Sequence, residues 1–231
     1  MEWFGDASTS RNVTDRGFRM EVDGRVVPGV LWTPAAGDAG ALVLLGHGGG
    51  ANKRAPYIVA VARQLVRHHG IAAIAIDGPG HGDREDASGF DEGWEPAGAT
   101  SDIIVDWQRA LDQGLDHLGV MPVGYFGLSM GTMMGLPLVA AEPRITAAVL
   151  GLMGTWGPNR EALVAAAPKV GIPLRFLLQW DDEIVPRDRC LALFDLIGSR
   201  KKCLHANPGP HADVPATEMR GVSQFLGEHL V

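Results

Sequence analysis

The chain has 231 residues, 46% of them hydrophobic and 20% charged, with no run of like charges and no low-complexity tract, which excludes a disordered or fibrous protein. A formal net charge of -7 and a sequence pI near 5.6 disfavour nucleic acid or an anionic membrane as partner, because either needs a concentrated basic surface. A small neutral or weakly charged molecule fits better, bound by one domain over residues 1–231, a length that buries a sizeable core.

The start, MEWFGDASTSRNVTDRGFRM, has no basic segment followed by an apolar one, and no stretch of about 18 apolar residues follows, so neither a signal peptide nor a membrane span is expected. FRMEVDGRVVPGVLWTP reads as a hairpin, two strands around Asp23-Gly24, giving an antiparallel entry to the fold. From there apolar strand-type runs alternate with longer amphipathic stretches. That pattern predicts a mostly parallel twisted sheet of about eight strands with helices on both faces.

The first parallel strand is expected at Leu42 to Leu45, a helix at about Tyr57 to His68, and a strand at Ile71 to Ile76. Between strand and helix lies GHGGGANKR, a Gly-rich turn of the kind that gathers backbone N–H groups around a negative charge. Gly46-x-Gly48-x-x-Ala51 fits the dinucleotide-binding fingerprint, and Asp77 ends the next apolar run where a ribose ligand would stand. An oxyanion hole is the rival reading of the same turn. The loop DREDASGFDEGWEPAGAT carries one apolar anchor, Trp94, and offers Thr100 or Ser101 as N-cap for a helix from Asp102 to Leu118.

A strand at Val123 to Gly127 runs into GLSMG, then a helix at about Met130 to Ala141 and a strand at Ala147 to Leu152. Gly154 to Ile172 has room for one helix and its turns, so no large cap domain is expected. The strand at Leu174 to Leu178 ends in QWDDEIVP, and a helix follows at about Arg187 to Leu196. The last strand, near Lys202 to His205, leads through NPGPHADVP to a helix at about Ala216 to His229. Cys190 and Cys203 are too few for a disulfide framework and lack metal-type spacing, so no metal is expected and a reducing, cytoplasmic setting fits.

A bare GxSxG arises readily in a chain with 31 glycines, but here it lies between a strand and a helix, the setting in which its serine stands on a strained turn with the hydroxyl exposed. Such a serine, Ser129, is a weak nucleophile that needs a histidine base and an acid behind it. Acid candidates, Asp181 and Asp182, follow one strand end, and His211 follows the next. Three such side chains at carboxyl ends of strands are more specific than any one alone. Trp94, Trp156 and Trp180 fall in or beside loops at the same ends, and Trp156 and Trp180 are candidates for the wall of an apolar pocket.

With these motifs the chain resembles the α/β-hydrolase superfamily, in particular its small, cap-less dienelactone-hydrolase-like and carboxylesterase-like members. The resemblance runs from Phe18 to Val231 on GHGGG, DGPGHGDR, GLSMG, DDEIVP and GPH. It implies Ser129, Asp182 and His211 as the triad, with Asp182 chosen over Asp181 by its distance from the following proline. It also implies backbone N–H donors to the oxyanion from Met130 and Gly49, with Gly48 next. Ser129 stands where dienelactone hydrolases proper carry a cysteine, and Leu128 where hormone-sensitive-lipase-like esterases usually carry an acid. The implied activity is hydrolysis of carboxylic esters or lactones without a cofactor, with Gly48, Trp156 and Trp180 lining the pocket; a homodimer is compatible with this reading. Thioesters, amides or carbon-carbon bonds are alternatives on the same triad. A dinucleotide-dependent oxidoreductase or a non-catalytic ligand-binding protein are the readings from other classes.

Overall fold

A computed structural model of the protein describes residues 1–84, 99–157 and 159–231. The chain enters as an antiparallel meander, β1 (Glu2–Ser10), β2 (Val13–Val22) and β3 (Arg25–Pro34). The expected hairpin is β2 with β3, turning at Asp23-Gly24, both in positive φ. β1 adds an outer strand that the sequence did not suggest. Almost all of it is exposed, and a register shift between Phe4 and Ser8 interrupts its pairing with β2. A solvated edge strand with a bulge has no inward-facing apolar alternation to read.

The parallel part follows as β4 (Ala41–Gly46), α1 (Pro56–His69), β5 (Ile71–Ile76), α2 (Ala99–Leu118), β6 (Val123–Gly127), α3 (Met130–Ala141), β7 (Ile145–Gly151), α4 (Arg160–Ala166), β8 (Leu174–Gln179), α5 (Arg187–Leu196), β9 (Lys202–Asn207) and α6 (Ala216–Leu230). All nine strands among the described residues form one sheet in the order β1-β2-β3-β5-β4-β6-β7-β8-β9. β3 meets β5 antiparallel, and every pairing from β5 to β9 is parallel.

Every residue of β4, β5 and β6 is buried, which explains why these strands read as unbroken apolar runs. α1 and α6 cover one face, with Ile58, Leu65, Val222 and Leu226 packed on Val43, Ala73 and Val149. α2 to α5 cover the other, with Trp107, Met133, Leu163 and Leu193 over Leu44, Tyr125 and Phe176. α2 opens at Ala99, so Thr100 and Ser101 lie in its first turn and not at its cap. Trp94 lies outside the described residues.

α3 is buried along most of its length and contains Pro137. Proline has no N–H, so the carbonyl of Met133, one turn earlier, loses its helical partner. The buried side chain of Asn159 donates to that carbonyl at 3.2 Å. Between β7 and β8 the described chain holds α4 and one 3-10 turn, Ala167–Lys169. β4 is the point at which the strand order reverses, with β5 on one side and β6 on the other, and in open α/β sheets ligands bind at the carboxyl ends beside such a point.

Candidate active site

Ser129 stands between the end of β6 and the start of α3 with φ +57° and ψ -120°, a conformation that costs a non-glycine residue about 1–3 kcal/mol. Its surroundings hold it there. The Ser129 N–H donates to the Gly151 carbonyl at 2.9 Å. The buried Thr132 hydroxyl accepts the Gly151 N–H at 2.7 Å and lies 2.7 Å from the carbonyls of Gly127 and Gly151, tying β6, α3 and β7 together. The flanking glycines are steric necessities: a Cβ at Gly127 would come 2.5 Å from the Gly131 carbonyl oxygen, and one at Gly131 the same distance from that of Gly46.

The loops after β8 and β9 bring the other two side chains to the serine. His211 Nε2 lies 2.9 Å from Ser129 Oγ, and His211 Nδ1 lies 2.7 Å from Asp182 Oδ2. The other Asp182 oxygen accepts the N–H groups of Ile184 and Val185, both at 2.8 Å. With Oδ1 occupied by two N–H groups, Asp182 accepts the Nδ1–H at Oδ2, which leaves Nε2 as the acceptor facing the serine hydroxyl.

The neighbouring acids hold the histidine loop. Asp181 Oδ2 accepts the Gly209 N–H at 2.9 Å, so it points to the loop backbone and not to the imidazole. Glu183 Oε2 accepts the His211 N–H at 2.9 Å, a bond that holds its carboxyl below the usual range. Gln179, buried at the end of β8, turns its amide nitrogen to the carbonyls of Asp213 (3.0 Å), Pro210 (3.1 Å) and Pro208 (3.4 Å). Nothing in the local sequence marks Gln179, because its partners are about thirty residues away.

The Gly-rich turn after β4 faces the elbow. His47 accepts the Gly78 N–H at Nε2 and contacts the Gly48 carbonyl through Nδ1, both at 2.9 Å. Burial pushes its pKa down to about 4, so it is a neutral strut between the ends of β4 and β5. The Gly48 N–H donates to the Tyr57 hydroxyl at 2.6 Å. The N–H groups of Gly49 and Met130 have no acceptor among the described residues. Asp77 is fully buried, ion-paired with Lys53 and bonded to the N–H groups of Lys53 and Asp83. Its carboxylate therefore holds two loops together and has none of its surface left for a ribose.

A cavity of about 250 Å³ opens over Ser129 and His211, walled by Gly48, Gly49, Tyr57, Leu128, Leu152 and Met219 among others. Trp156, 47% exposed, lines a separate cavity with Met153, Ile184 and Arg189. Trp180 is 51% exposed and outside the Ser129 cavity, with the Arg187 guanidinium stacked 4.2 Å above its ring. Among the described residues no group of three or more His, Cys, Asp or Glu is placed to hold a metal ion. No helix among them is long and apolar enough to cross a membrane.

Ser129, His211 and Asp182 thus stand together at the ends of β6, β9 and β8. The α/β-hydrolase fold family matches residues 41–171, and the chain belongs to that family. It is similar to a cold-adapted esterase from an Arctic intertidal metagenomic library: the PEG-bound complex superposes with a TM-score of 0.93 at 50% identity, covering all of both chains. The native structure of such an esterase from that source gives 0.88 at 47% identity, again over all of both chains. Est1E from Butyrivibrio proteoclasticus with ferulic acid bound gives 0.75 at 18% identity, over 92% of this chain and 98% of that one, a likeness of fold alone. No curated protein sequence matches the chain.

Proposed function

We propose that this carboxylic ester hydrolase cleaves short-chain or bulky soluble esters and lactones, with Ser129 as nucleophile, His211 as base and Asp182 as its orienting acid. The observation that carries the reading is the hydrogen-bonded line Ser129–His211–Asp182, at 2.9 and 2.7 Å. His211 Nε2 takes the hydroxyl proton as Ser129 Oγ attacks the ester carbonyl, and Asp182 stabilises the imidazolium. The tetrahedral intermediate collapses as His211 returns the proton to the departing alcohol, leaving an acyl-enzyme. Water, deprotonated by the same imidazole, then releases the acid.

The oxyanion of each intermediate is assigned to the N–H groups of Met130 and Gly49. Met130 begins the helix after the nucleophile, where unpaired donors and the dipole favour negative charge. Gly49 is preferred to Gly48 because the Gly48 N–H is spent on Tyr57. A cavity of about 250 Å³ lies just below the usual range for small-molecule sites, which favours short acyl groups.

Intact-mass measurement after treatment with a fluorophosphonate tests the nucleophile. One adduct is expected, mapping to Ser129 and absent in Ser129→Ala; folded protein that takes no adduct would refute the triad. A series of p-nitrophenyl esters tests the pocket, with kcat/KM expected to peak at short acyl chains. A maximum at long chains would overturn the assignment of size.

A further inference from the structure

The hydrogen bond between Gly48 and Tyr57 has a fixed direction. A peptide nitrogen donates and has no lone pair to offer, so the Tyr57 hydroxyl, 2.6 Å away, is the acceptor. Its own proton must point elsewhere. It has no protein acceptor among the described residues, and the half-buried side chain leaves it at the cavity surface. Tyr57 lines the cavity over Ser129, where a bound ligand can replace solvent as the acceptor. Burial also raises the phenol pKa, which keeps the proton in place.

The Tyr57 hydroxyl and Ser129 border the same part of the cavity. A carbon-sized position beside the Gly48 α-carbon lies 3.5 Å from the Tyr57 hydroxyl oxygen, 3.6 Å from the Leu128 carbonyl oxygen and 3.8 Å from Ser129 Cβ. An ester placed for attack has its carbon about 3–3.5 Å from the nucleophilic oxygen, in the part of the cavity that Tyr57 and Ser129 both border. We propose that Tyr57 donates a hydrogen bond from its hydroxyl to the substrate's carbonyl oxygen, as a third donor beside the N–H groups of Met130 and Gly49. The phenol keeps its proton throughout. The bond strengthens as the oxygen gains charge, which makes it a contribution to the transition state and not to substrate binding alone. In this arrangement Tyr57 also withdraws Gly48 from the oxyanion, so one side chain both selects the backbone donor and supplements it.

The inference rests on the serine-esterase reading, and a purely structural role for Tyr57 as the anchor of Gly48 makes an opposite prediction. Tyr57→Phe removes both functions while keeping the ring; kcat should fall about ten- to a hundredfold with little change in KM. Site-specific incorporation of 3-fluorotyrosine at position 57 separates the two roles, because fluorine makes the hydroxyl a stronger donor and a weaker acceptor. Assayed well below the pKa of the substituted phenol, that protein should exceed the native kcat by about two- to threefold. A kcat lowered by fluorination, or a Tyr57→Phe enzyme as fast as the native one, would overturn the proposal. In the same experiment, native enzyme that fails to react with the fluorophosphonate would bring down the triad and Tyr57's role with it; labelling of native enzyme with unchanged variants would remove Tyr57 alone.

Discussion

The three acids after β8 and the glutamine before them divide the work of placing one imidazole. Asp182 meets Nδ1, Glu183 takes the His211 N–H, Asp181 takes the Gly209 N–H, and Gln179 satisfies carbonyls on both sides of His211. The Gln179 amide oxygen is buried without a partner, so the carbonyls alone select the orientation of this side chain. Gln179→Leu would strand those carbonyls at a cost of about 1–3 kcal/mol and release the loop that carries His211. The expected result is a kcat lowered about tenfold or more, since misplacement of about 1 Å can cost a hundredfold. Fluorophosphonate labelling should slow in proportion, while Ser129 stays reactive in kind. A variant within twofold or so of native kcat would show that the acids hold the loop unaided.

The strand-turn-helix around Ser129 depends on backbone groups approaching one another more closely than any side chain allows. Gly131→Ala puts a methyl against the Gly46 carbonyl, and backbone on both sides leaves nothing to yield. A destabilisation at or above the 1–3 kcal/mol or so of ordinary overpacking is expected, together with loss of labelling at Ser129. Gly49→Ala has open space around the new methyl and no positive φ to oppose it, so it should fold with nearly native stability; thermal melting of the pair distinguishes them. Elements of this kind were legible in the sequence because glycine spacing, apolar runs and chain order all report local structure, and β5, β6, α3 and α5 fall where the patterning places them. The chain order Ser129, Asp182, His211 could be read for the same reason, and the fold brings the three side chains within hydrogen-bonding distance. β1 was not, since a solvated edge strand hides no apolar face. Tyr57, Thr132 and Gln179 were not, because each acts on backbone groups brought close only by the fold. Trp180 was suggested by its position beside a strand end, yet its ring turns outward to Arg187.

Across the whole molecule the strut made by His47 couples stability to pH. Burial is the main cause of its depressed pKa, with the nearby His81 and Lys53 pushing the same way and Asp77 and the Gly48 carbonyl opposing. The folded value of about 4 lies below the ordinary 6.5, so the unfolded chain takes up the proton first. Stability from this residue is therefore fully present above about pH 6.5, drains away as pH falls toward about 4, and changes no further below that; at about 1.4 kcal/mol per pH unit the loss amounts to about 3.5 kcal/mol. His69, at the end of α1 where a cation would suit the helix dipole, is instead held toward neutrality by burial and adds a loss of the same sign. Asp83 and Glu142, whose pKa values are lowered by Lys53 and Arg144, lose their contribution only at more acidic pH, through and below the ordinary carboxylate range. Denaturant midpoints taken stepwise from about pH 7.5 to about pH 4.5 should fall most steeply below about pH 6.5. His47→Gln, which can neither titrate nor bridge Gly78 and Gly48 in the same way, should start lower at neutral pH and run flatter, so that the two curves converge in acid. Parallel curves would place the acid sensitivity elsewhere and leave His47 as a strut without a role in titration.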